Sequence, residues 1–283
     1  MTPMEIQYGK TRVVFFRLAK RSAPPFGASV TIDVFGERFA AAYTAGDNRE
    51  VVATDTMKNF VYATAADFDG RSLEAYVMFL GKRLLDTYPQ MERIRVTAHE
   101  VPLDAAHGRE HGGSDVVFRL TRTDIAMSHA DFERRGDSVA ADHVRCGIEG
   151  LRLLKTTGSS FAQFARDKYT SLPELADRPL TIRMDVHWRY ADASAATDAK
   201  GHVPPDDVRR SLEHTFHEFN SKSIQELVHV MAAALLKEFP SLSEVEFSAE
   251  NHTPDKVADG PGDVRVFAEP RQTFGKIGLV LRR

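Results

Sequence analysis

Residues 72–100 read SLEAYVMFLGKRLLDTYPQMERIRVTAHE, and residues 223–251 read SIQELVHVMAAALLKEFPSLSEVEFSAEN. The two stretches align without a gap, and a Leu-Leu pair and an aromatic-Pro pair occupy the same places in both. The apolar residues that follow also coincide: Ile94, Val96 and Ala98 fall on Val245, Phe247 and Ala249. A match of this kind favours an internal duplication of the chain.

Each copy predicts a helix, a proline stop and a strand. Ser223 and Glu226 have the spacing of a capping box at the start of the second helix. Each proline ends its helix, and the alternating residues beyond it indicate a half-buried strand. In the first copy, one apolar stripe at helical spacing is formed by Leu73, Tyr76, Val77, Leu80 and Leu84.

The remaining patterns give the same order of elements in both halves of the chain. Further helices are predicted at 55–65 and 206–220, and strands are predicted at 7–18, 29–43, 116–122, 138–157, 180–191 and 275–281. The order is strand, strand, helix, helix, strand, strand, twice over, in units 1–136 and 137–283. This order does not fit a doubly wound parallel sheet. It predicts an α+β fold, with an antiparallel sheet and helices on one face, whose exposed edges favour oligomerisation.

Composition excludes several classes of protein. A formal net charge of −3 gives no basic excess for binding nucleic acid. The single cysteine, Cys146, excludes an intramolecular disulfide framework and a cysteine-rich zinc site. The first residues lack the basic and apolar regions of a signal peptide. No apolar run approaches the length of a membrane span, and the last residues, Leu-Arg-Arg, do not match a peroxisomal signal. We therefore expect a cytoplasmic protein.

Three polar stretches, 104–115, 192–207 and 253–263, are predicted to be surface loops. The first contains His107-Gly-Arg-Glu-His111, which matches the H-x-x-E-H string of some zinc peptidases. Its glycines indicate a loop, whereas that motif needs a helix. His214 and His217 have a helical spacing that could bind zinc with a third ligand, but surface histidines are the favoured interpretation.

The segment 151–178 contains groups suited to a flat ligand. The Thr-Gly-Ser-Ser turn before Phe161 indicates that this ring is lifted out of the sheet. An aromatic ring can stack on a planar heterocycle, and a guanidinium can bind its oxygen and nitrogen atoms in a bidentate manner. The segment begins LRLLKTTGSSF at 151–161 and continues through Phe164, Tyr169 and Leu172 to Arg178.

This segment resembles the signature of the urate oxidase (uricase) family, of the bacterial type. The resemblance implies a tandem T-fold of two ββααββ units, in which subunits join sheet edges into a barrel. It also implies that Phe161 stacks on urate, that Leu172 forms an apolar wall, and that Arg178 binds a carbonyl oxygen and a ring nitrogen.

Two segments of the first half also resemble the family. Tyr8-Gly9-Lys10 is similar to the start of uricases, which implies that Lys10 belongs to the catalytic base. Partial burial would make its neutral amine available. Thr54 and Asp55 open a helix and could cap it. The resemblance implies that Thr54 is the partner of the lysine, and that Asp55 and the backbone hold the five-membered ring of the purine.

Two segments of the second half complete the resemblance. It implies that Ile224 supplies a backbone N–H, and that the Gln225 amide donates to and accepts from one edge of urate. Asn251 corresponds to an asparagine that holds dioxygen or water above the urate plane. The family histidine that follows two places later is Thr253 here, whereas the neighbouring histidine is His252. Either residue could serve the proton relay.

The resemblance implies oxidation of urate by dioxygen and water to 5-hydroxyisourate and hydrogen peroxide, with no flavin, haem or metal. It implies a homotetramer with active sites at subunit interfaces. Residues from the first half of one chain would face residues from the second half of a neighbour. Two alternatives stay open at this point: a zinc-dependent T-fold enzyme that uses His214 and His217, and a non-catalytic purine-binding protein, which would not need Lys10.

Overall fold

The computed structural model describes residues 4–18, 25–108, 112–268 and 273–283. The chain divides into two compact units. The first comprises Met1–Cys146 and Asp192–His202, and the second comprises Gly147–Ala191 and Val203–Arg283. The predicted boundary after residue 136 lies in the turn that precedes a long strand, and it stays a prediction. No helix among the described residues combines the length and apolarity needed to cross a membrane.

The first unit is an antiparallel sheet covered by helices. Its main sheet has the order β1-β2-β3-β6, to which the first half of β7 is added. Helix α3 packs on β3 and β6, while α2 packs on β1. The elements of this unit are β1 (Gln7–Arg17), β2 (Phe26–Phe35), α1 (Ala40–Ala45), α2 (Thr54–Asp67), α3 (Leu73–Thr87), β3 (Arg93–Glu100), β4 (Asp104–His107), β5 (Gly113–Arg119) and β6 (Ile125–Arg135), and β7 (Ser138–Lys155) begins in it.

The second unit repeats this arrangement. Strand β7, whose residues from Gly147 onward belong to this unit, pairs with β8, and the order continues β8-β9-β12. Helix α5 packs on β9 and β12, over a core that includes the fully buried Trp188 and Phe247. The elements are β8 (Leu180–Tyr190), α4 (Pro205–Glu218), α5 (Ile224–Glu238), β9 (Leu242–His252), β10 (Lys256–Asp259), β11 (Arg265–Phe267) and β12 (Gly275–Arg282). The predicted α+β class, with antiparallel strands and helices packed on them, is confirmed.

Equivalent serines cap the duplicated helices. The Ser72 hydroxyl accepts from the Ala75 N–H at 3.1 Å, and the Ser223 hydroxyl accepts from the Glu226 N–H at 3.1 Å. The capping box is only half formed, because the Glu226 carboxylate accepts from the N–H of Lys222, at 2.8 Å. The serine caps fix where both helices begin, at matching places in the two copies.

Equivalent arginines bind the other ends of these helices. The Arg134 guanidinium donates to the carbonyl of Leu85, and the Arg283 guanidinium donates to the carbonyl of Leu236. The two leucines occupy the same place in the aligned copies. A cation at a helix C-terminus satisfies a free carbonyl and matches the helix dipole. Tertiary contacts thus repeat along with the sequence, which supports the duplication.

The predicted strand 29–43 is too long. Strand β2 ends at Phe35, and Gly36, with φ of 145°, is followed by a short 3₁₀ turn and helix α1. The alanine-rich stretch that follows favours a helix. This helix ends where Gly46 takes a left-handed φ of 68°.

Two of the predicted loops contain strands. The described parts of 104–115 include β4 and the start of β5, which pair with each other, and 253–263 contains β10, which pairs with β11. Most of these strand residues are exposed, so their sequences lack the apolar alternation of a half-buried strand. The predicted strand 116–122 overlaps β5 and lies in this small ladder. The strand that follows β3 in the main sheet is instead β6, which the sequence did not reveal, because small residues occupy several of its buried positions.

The predicted loop 192–207 is partly buried. It contains a 3₁₀ turn, Ala193–Ala196, whose last residue is fully buried. His202 lies with its Nε2 atom 3.2 Å from the Glu74 carboxylate, which is only 2% exposed. This segment therefore packs into the first unit, whereas composition had indicated a surface excursion.

Candidate active site

The second unit contains a cavity of about 530 Å³, at the start of α5 and beside the adjacent ends of β9 and β12. Every described residue that lines it belongs to this unit. Seven of the residues predicted from the sequence are among them: Phe161, Leu172, Arg178, Ile224, Gln225, Asn251 and Thr253. The structure therefore brings together side chains that are far apart in the sequence.

A turn after β7 presents Phe161. Gly158 has a left-handed φ of 74°, and a Cβ atom there would lie 2.5 Å from Oδ1 of Asn220. The Asp177 carboxylate accepts from the Thr157 hydroxyl at 2.8 Å and from the Gly158 N–H at 2.7 Å. The bond from Thr157 is the main reason why the pKa of Asp177 is lowered. The turn therefore requires glycine for conformation and for space.

We expect Gly158→Ala to lower the melting temperature by several degrees. A non-glycine residue in the left-handed region costs about 1–3 kcal/mol, and the contact with Asn220 adds to that strain. The matched control is Gly262→Ala, because Gly262 has a φ of 67° but a Cβ atom there would meet nothing within 4 Å. Differential scanning calorimetry of both variants measures the difference. Equal losses would show that the space beside Asn220 is unimportant.

Backbone pairing holds Phe161 and Arg178 close together. The Phe161 N–H donates to the Leu175 carbonyl, and the Arg178 N–H donates to the Ser159 carbonyl, both at 2.9 Å. The Phe161 ring stacks on Phe164 with centroids 4.9 Å apart and an interplanar angle of 11°. The guanidinium carbon of Arg178 lies 5.5 Å from the Phe161 ring centre. An aromatic surface and a cation therefore border the same space.

Arg178 is a buried cation. It is only 6% exposed, and its Nε atom is buried without a hydrogen-bond partner in the described part of the chain. Its Nη1 atom lies 3.5 Å from the Thr253 hydroxyl, at the outer limit of a hydrogen bond. Burial lowers the pKa of Arg178, and no described carboxylate pairs with it. A buried guanidinium of this kind is suited to an anionic ligand.

The start of α5 adds donors to the cavity wall. Ile224 and Gln225 are the first two residues of the helix, so their N–H groups lack acceptors within it. Ile224 is buried and Gln225 is exposed, and both line the cavity. The positive end of the helix dipole also favours a negative ligand here.

The end of β9 separates the two relay candidates. Asn251 and Thr253 line the cavity, and the Thr253 hydroxyl donates to Asn251 Oδ1 at 3.0 Å. His252 does not line it. Its Nε2 atom lies 3.0 Å from the Glu250 carboxylate, and its ring lies 4.9 Å from the Phe274 ring. Alternation along the strand places neighbouring side chains on opposite faces.

The sequence did not reveal the wall formed by β12 and the residues before it. Thr273, Phe274, Gly275, Lys276 and Ile277 line the cavity, as do Ser171, Pro173 and Asp255. The β12 residues reach the site because Gly275 pairs with Asn251 in the ladder of β9 and β12. The sequence did indicate that both strands belong to one antiparallel sheet. It did not give the register between them, which decides which β12 residues reach the cavity.

The first unit contains the other three predicted site residues, Lys10, Thr54 and Asp55. Gly9 allows close approach of strand β2, because a Cβ there would lie 1.9 Å from the Ile32 carbonyl oxygen. The Tyr8 hydroxyl accepts from the Val52 N–H at 3.3 Å and ties the chain before α2 to β1. Lys10 is half-buried and directly precedes a β-bulge. The Tyr-Gly-Lys sequence therefore has structural reasons as well as the functional one that the resemblance implied.

Thr54 and Asp55 open α2, but neither caps it. The N-cap residue is Ala53, which makes no side-chain cap, so the capping interpretation is wrong. Both Thr54 and Asp55 are exposed. The pKa of Asp55 is lowered, mainly by its hydrogen bond from Lys58 and more weakly by the charge of Lys10. Lys10 therefore lies close enough to the start of α2 to act on it electrostatically.

The histidine motifs form no metal centre in the described structure. Among its residues, no group of three or more His, Cys, Asp or Glu side chains could hold a metal ion. His214 and His217 are exposed on α4. Part of the H-x-x-E-H string, Glu110 and His111, lies outside the described residues.

Together, these features define a class of protein. The chain has an antiparallel α+β fold and a cavity bordered by an aromatic ring, by helix N–H donors and by a buried guanidinium without a carboxylate partner among the described residues. Such a cavity is suited to a small, flat, anionic ligand. The chain belongs to the uricase family, whose model matches residues 6–121 and 144–278. The family predicted from the segment 151–178 is confirmed.

Named relatives agree with this assignment. The chain is 37% identical to a uricase of Haloferax volcanii over 258 residues, which are 88% of this chain and 84% of that protein. It is 36% identical to the uric acid degradation bifunctional protein PucL of Bacillus subtilis over 91% of this chain. It spans only about half of that longer relative, 53% of its length.

Solved structures agree over nearly the whole chain. Urate oxidase from Bacillus sp. TB-90 superposes with a TM-score of 0.91 at 30% identity, covering 98% of this chain and 100% of that one. The uricase of Arthrobacter globiformis gives a TM-score of 0.86 and covers 100% of this chain and 95% of that one. The fold predicted from the duplicated pattern is therefore that of urate oxidases.

Proposed function

We propose that this protein oxidises urate with dioxygen and water, without a cofactor, to give 5-hydroxyisourate and hydrogen peroxide. Two electrons leave the purine and reduce dioxygen to peroxide, and water supplies the hydroxyl group that is added to carbon 5. The observation that carries the proposal is the buried Arg178, which has no carboxylate partner among the described residues and borders the cavity. Urate is an anion, and its oxygen and nitrogen atoms can accept the two parallel hydrogen bonds that the planar Arg178 guanidinium donates.

The other lining groups fit the same ligand. Phe161 offers a surface for stacking, and Leu172 adds an apolar wall. Gln225 can donate and accept at once, which suits an edge where C=O and N–H groups alternate. The N–H of Ile224 at the start of α5 adds a donor. In this proposal urate lies flat against Phe161, and Asn251, which lines the same cavity, faces the reacting carbon.

The catalytic base in this proposal is Lys10, assisted by Thr54. Removal of a second proton makes the urate ring electron-rich enough to reduce dioxygen directly. Lys10 is half-buried and directly precedes a β-bulge of β1. Asp55 and the backbone at the start of α2 would hold the five-membered ring.

We also propose that two copies of the chain build each active site, within a homotetramer. All described lining residues of the cavity come from the second unit, whereas the proposed base and its partners come from the first. Lys10 of one copy would therefore complete the cavity of another. Joining sheet edges between copies would also cover strands that are otherwise exposed.

Co-expression of Lys10→Met and Arg178→Met chains tests this assembly. Each variant alone should be nearly inactive. A mixed pair should regain turnover, because one of its sites receives Lys10 from one chain and Arg178 from the other, both intact. If both residues of a site came from the same chain, no mixed site would be intact. Turnover no higher than that of the separate variants would therefore contradict the assembly.

The activity itself is tested by following oxygen consumption, urate absorbance and peroxide release in parallel. We expect one dioxygen to be consumed and one peroxide to be formed per urate lost, before peroxide decomposes. A strong chelator should leave the rate unchanged. No turnover in correctly assembled protein would reject the oxidase, and loss of the rate in chelator would point to a zinc-dependent enzyme.

A further inference from the structure

Thr253 lies between two polar residues of the cavity. Its hydroxyl donates to Asn251 Oδ1 at 3.0 Å, and the Nη1 atom of Arg178 lies 3.5 Å from the same hydroxyl. All three residues line the cavity. The hydroxyl carries a single proton, and the bond to Asn251 uses it.

His252 belongs to a different set of contacts. Its Nε2 atom lies 3.0 Å from Glu250, whose other carboxylate oxygen accepts from Arg183 at 3.1 Å. Glu250 pairs with Lys276 in the neighbouring strand. Glu250 and His252 alternate with Asn251 along β9, so their side chains lie on the opposite face of the strand from Asn251. Of the two residues after Asn251, only Thr253 contacts its amide.

The contact fixes which end of the Asn251 amide faces the cavity. An amide has one oxygen, which accepts, and one nitrogen, which donates. Because Oδ1 accepts from Thr253, Nδ2 is left as the group that can donate to a ligand. Asn251 pairs in the ladder with Gly275, which also lines the cavity and has no side chain to cover the amide.

We propose that Thr253 is a positioning residue, which orients Asn251 so that its N–H group faces the oxygen-derived reactant, and that it is not a proton relay. The inference rests on the proposed oxidation of urate. A donor at this place would hydrogen-bond to dioxygen as it gains negative charge, and later to the oxygen of the attacking water. The Thr253 hydroxyl keeps its own proton throughout and donates it in the hydrogen bond to Asn251 Oδ1. No proton is transferred through Thr253.

A double-mutant cycle tests the inference in the assembled enzyme. We expect Thr253→Val, which removes the hydroxyl but keeps the shape, to lower kcat/KM for dioxygen about tenfold. Thr253→Ser should restore the value to within about threefold of wild type, because it keeps the donor. In an Asn251→Ala background, Thr253→Val should change the rate by less than about twofold, since the residue that it orients is absent. Thr87→Val, at the exposed end of α3, is the matched control.

Two further readouts separate positioning from relay. Thr253→Val should leave the pH dependence of kcat with the same inflections as wild type, because no titrating step is lost. Anaerobic urate binding should weaken by less than about threefold, since the contact with Arg178 is long. Additive effects of the two substitutions, or a lost or shifted limb of the pH profile, would overturn the inference. Failure of the proposed oxidation is a distinguishable outcome, because the wild-type protein itself would then not turn over urate.

Discussion

Lys10→Met should lower the turnover of urate by about a thousandfold, the largest effect that we expect from a single substitution. Methionine keeps an unbranched apolar chain of similar length but cannot accept a proton. Lys10 sits before a bulge of β1, at a distance where its charge helps to lower the pKa of Asp55. The fold should survive, because the residue is only half-buried.

The measurement is a comparison of turnover with binding. Stopped-flow mixing with oxygen should give a much lower rate of urate loss, while anaerobic titration should give an affinity within about threefold of wild type. Lys82→Met is the matched control, because Lys82 lies exposed on α3 of the same unit. Unchanged turnover would remove Lys10 from the mechanism and require a different catalytic base.

Arg178→Met should weaken urate binding by about a hundredfold or more. Removing one partner of a buried, hydrogen-bonded charge pair costs about 2–5 kcal/mol, and Arg178 is 6% exposed. The same change should leave the melting temperature unchanged or raise it, because the ligand-free protein buries this charge without a carboxylate partner among its described residues. Loss of binding with no loss of stability is the signature of a residue kept for its ligand.

Isothermal titration under anaerobic conditions and scanning calorimetry provide both values. Arg178→Lys keeps the charge but not the planar fork, so it should recover only part of the affinity. Arg152→Met, at an exposed position of β7, is the matched control. A large drop in melting temperature for Arg178→Met would instead make Arg178 a structural residue, and urate affinity near that of wild type would exclude it from the site.

The predictions that rested on local pattern hold best in the fold. The helices after Ser72 and Ser223 begin where the serines predict, because an N-cap needs only residues three apart. The alternation of β9 was also visible, because one face of this strand is buried in its own unit. Strand β6 was missed, because the polar Ser128 lies on its buried face and interrupts the alternation of apolar and polar residues that predicts a strand.

Predictions for the site divide in a similar way. The turn at Gly158 and the ring that it presents, Phe161, are encoded within a few residues, so their spacing was recognisable. The wall around Gly275 was not predicted, because it depends on the register between β9 and β12. The residues of the first unit stay predictions, since all the described residues that line the cavity at the start of α5 belong to the second unit.

Spacing along the chain was enough to establish the duplicated order of elements, the family, and which side chains were candidates for binding urate. The periodicity of helices and strands and the local conformation of turns impose these spacings on the sequence. They can therefore be recognised without knowing the tertiary structure. Folding was needed to show that Arg178 is buried without a carboxylate partner among the described residues, and that Thr253 rather than His252 contacts Asn251. Burial and hydrogen bonding depend on which segments meet in space, and the pairing of distant strands sets that.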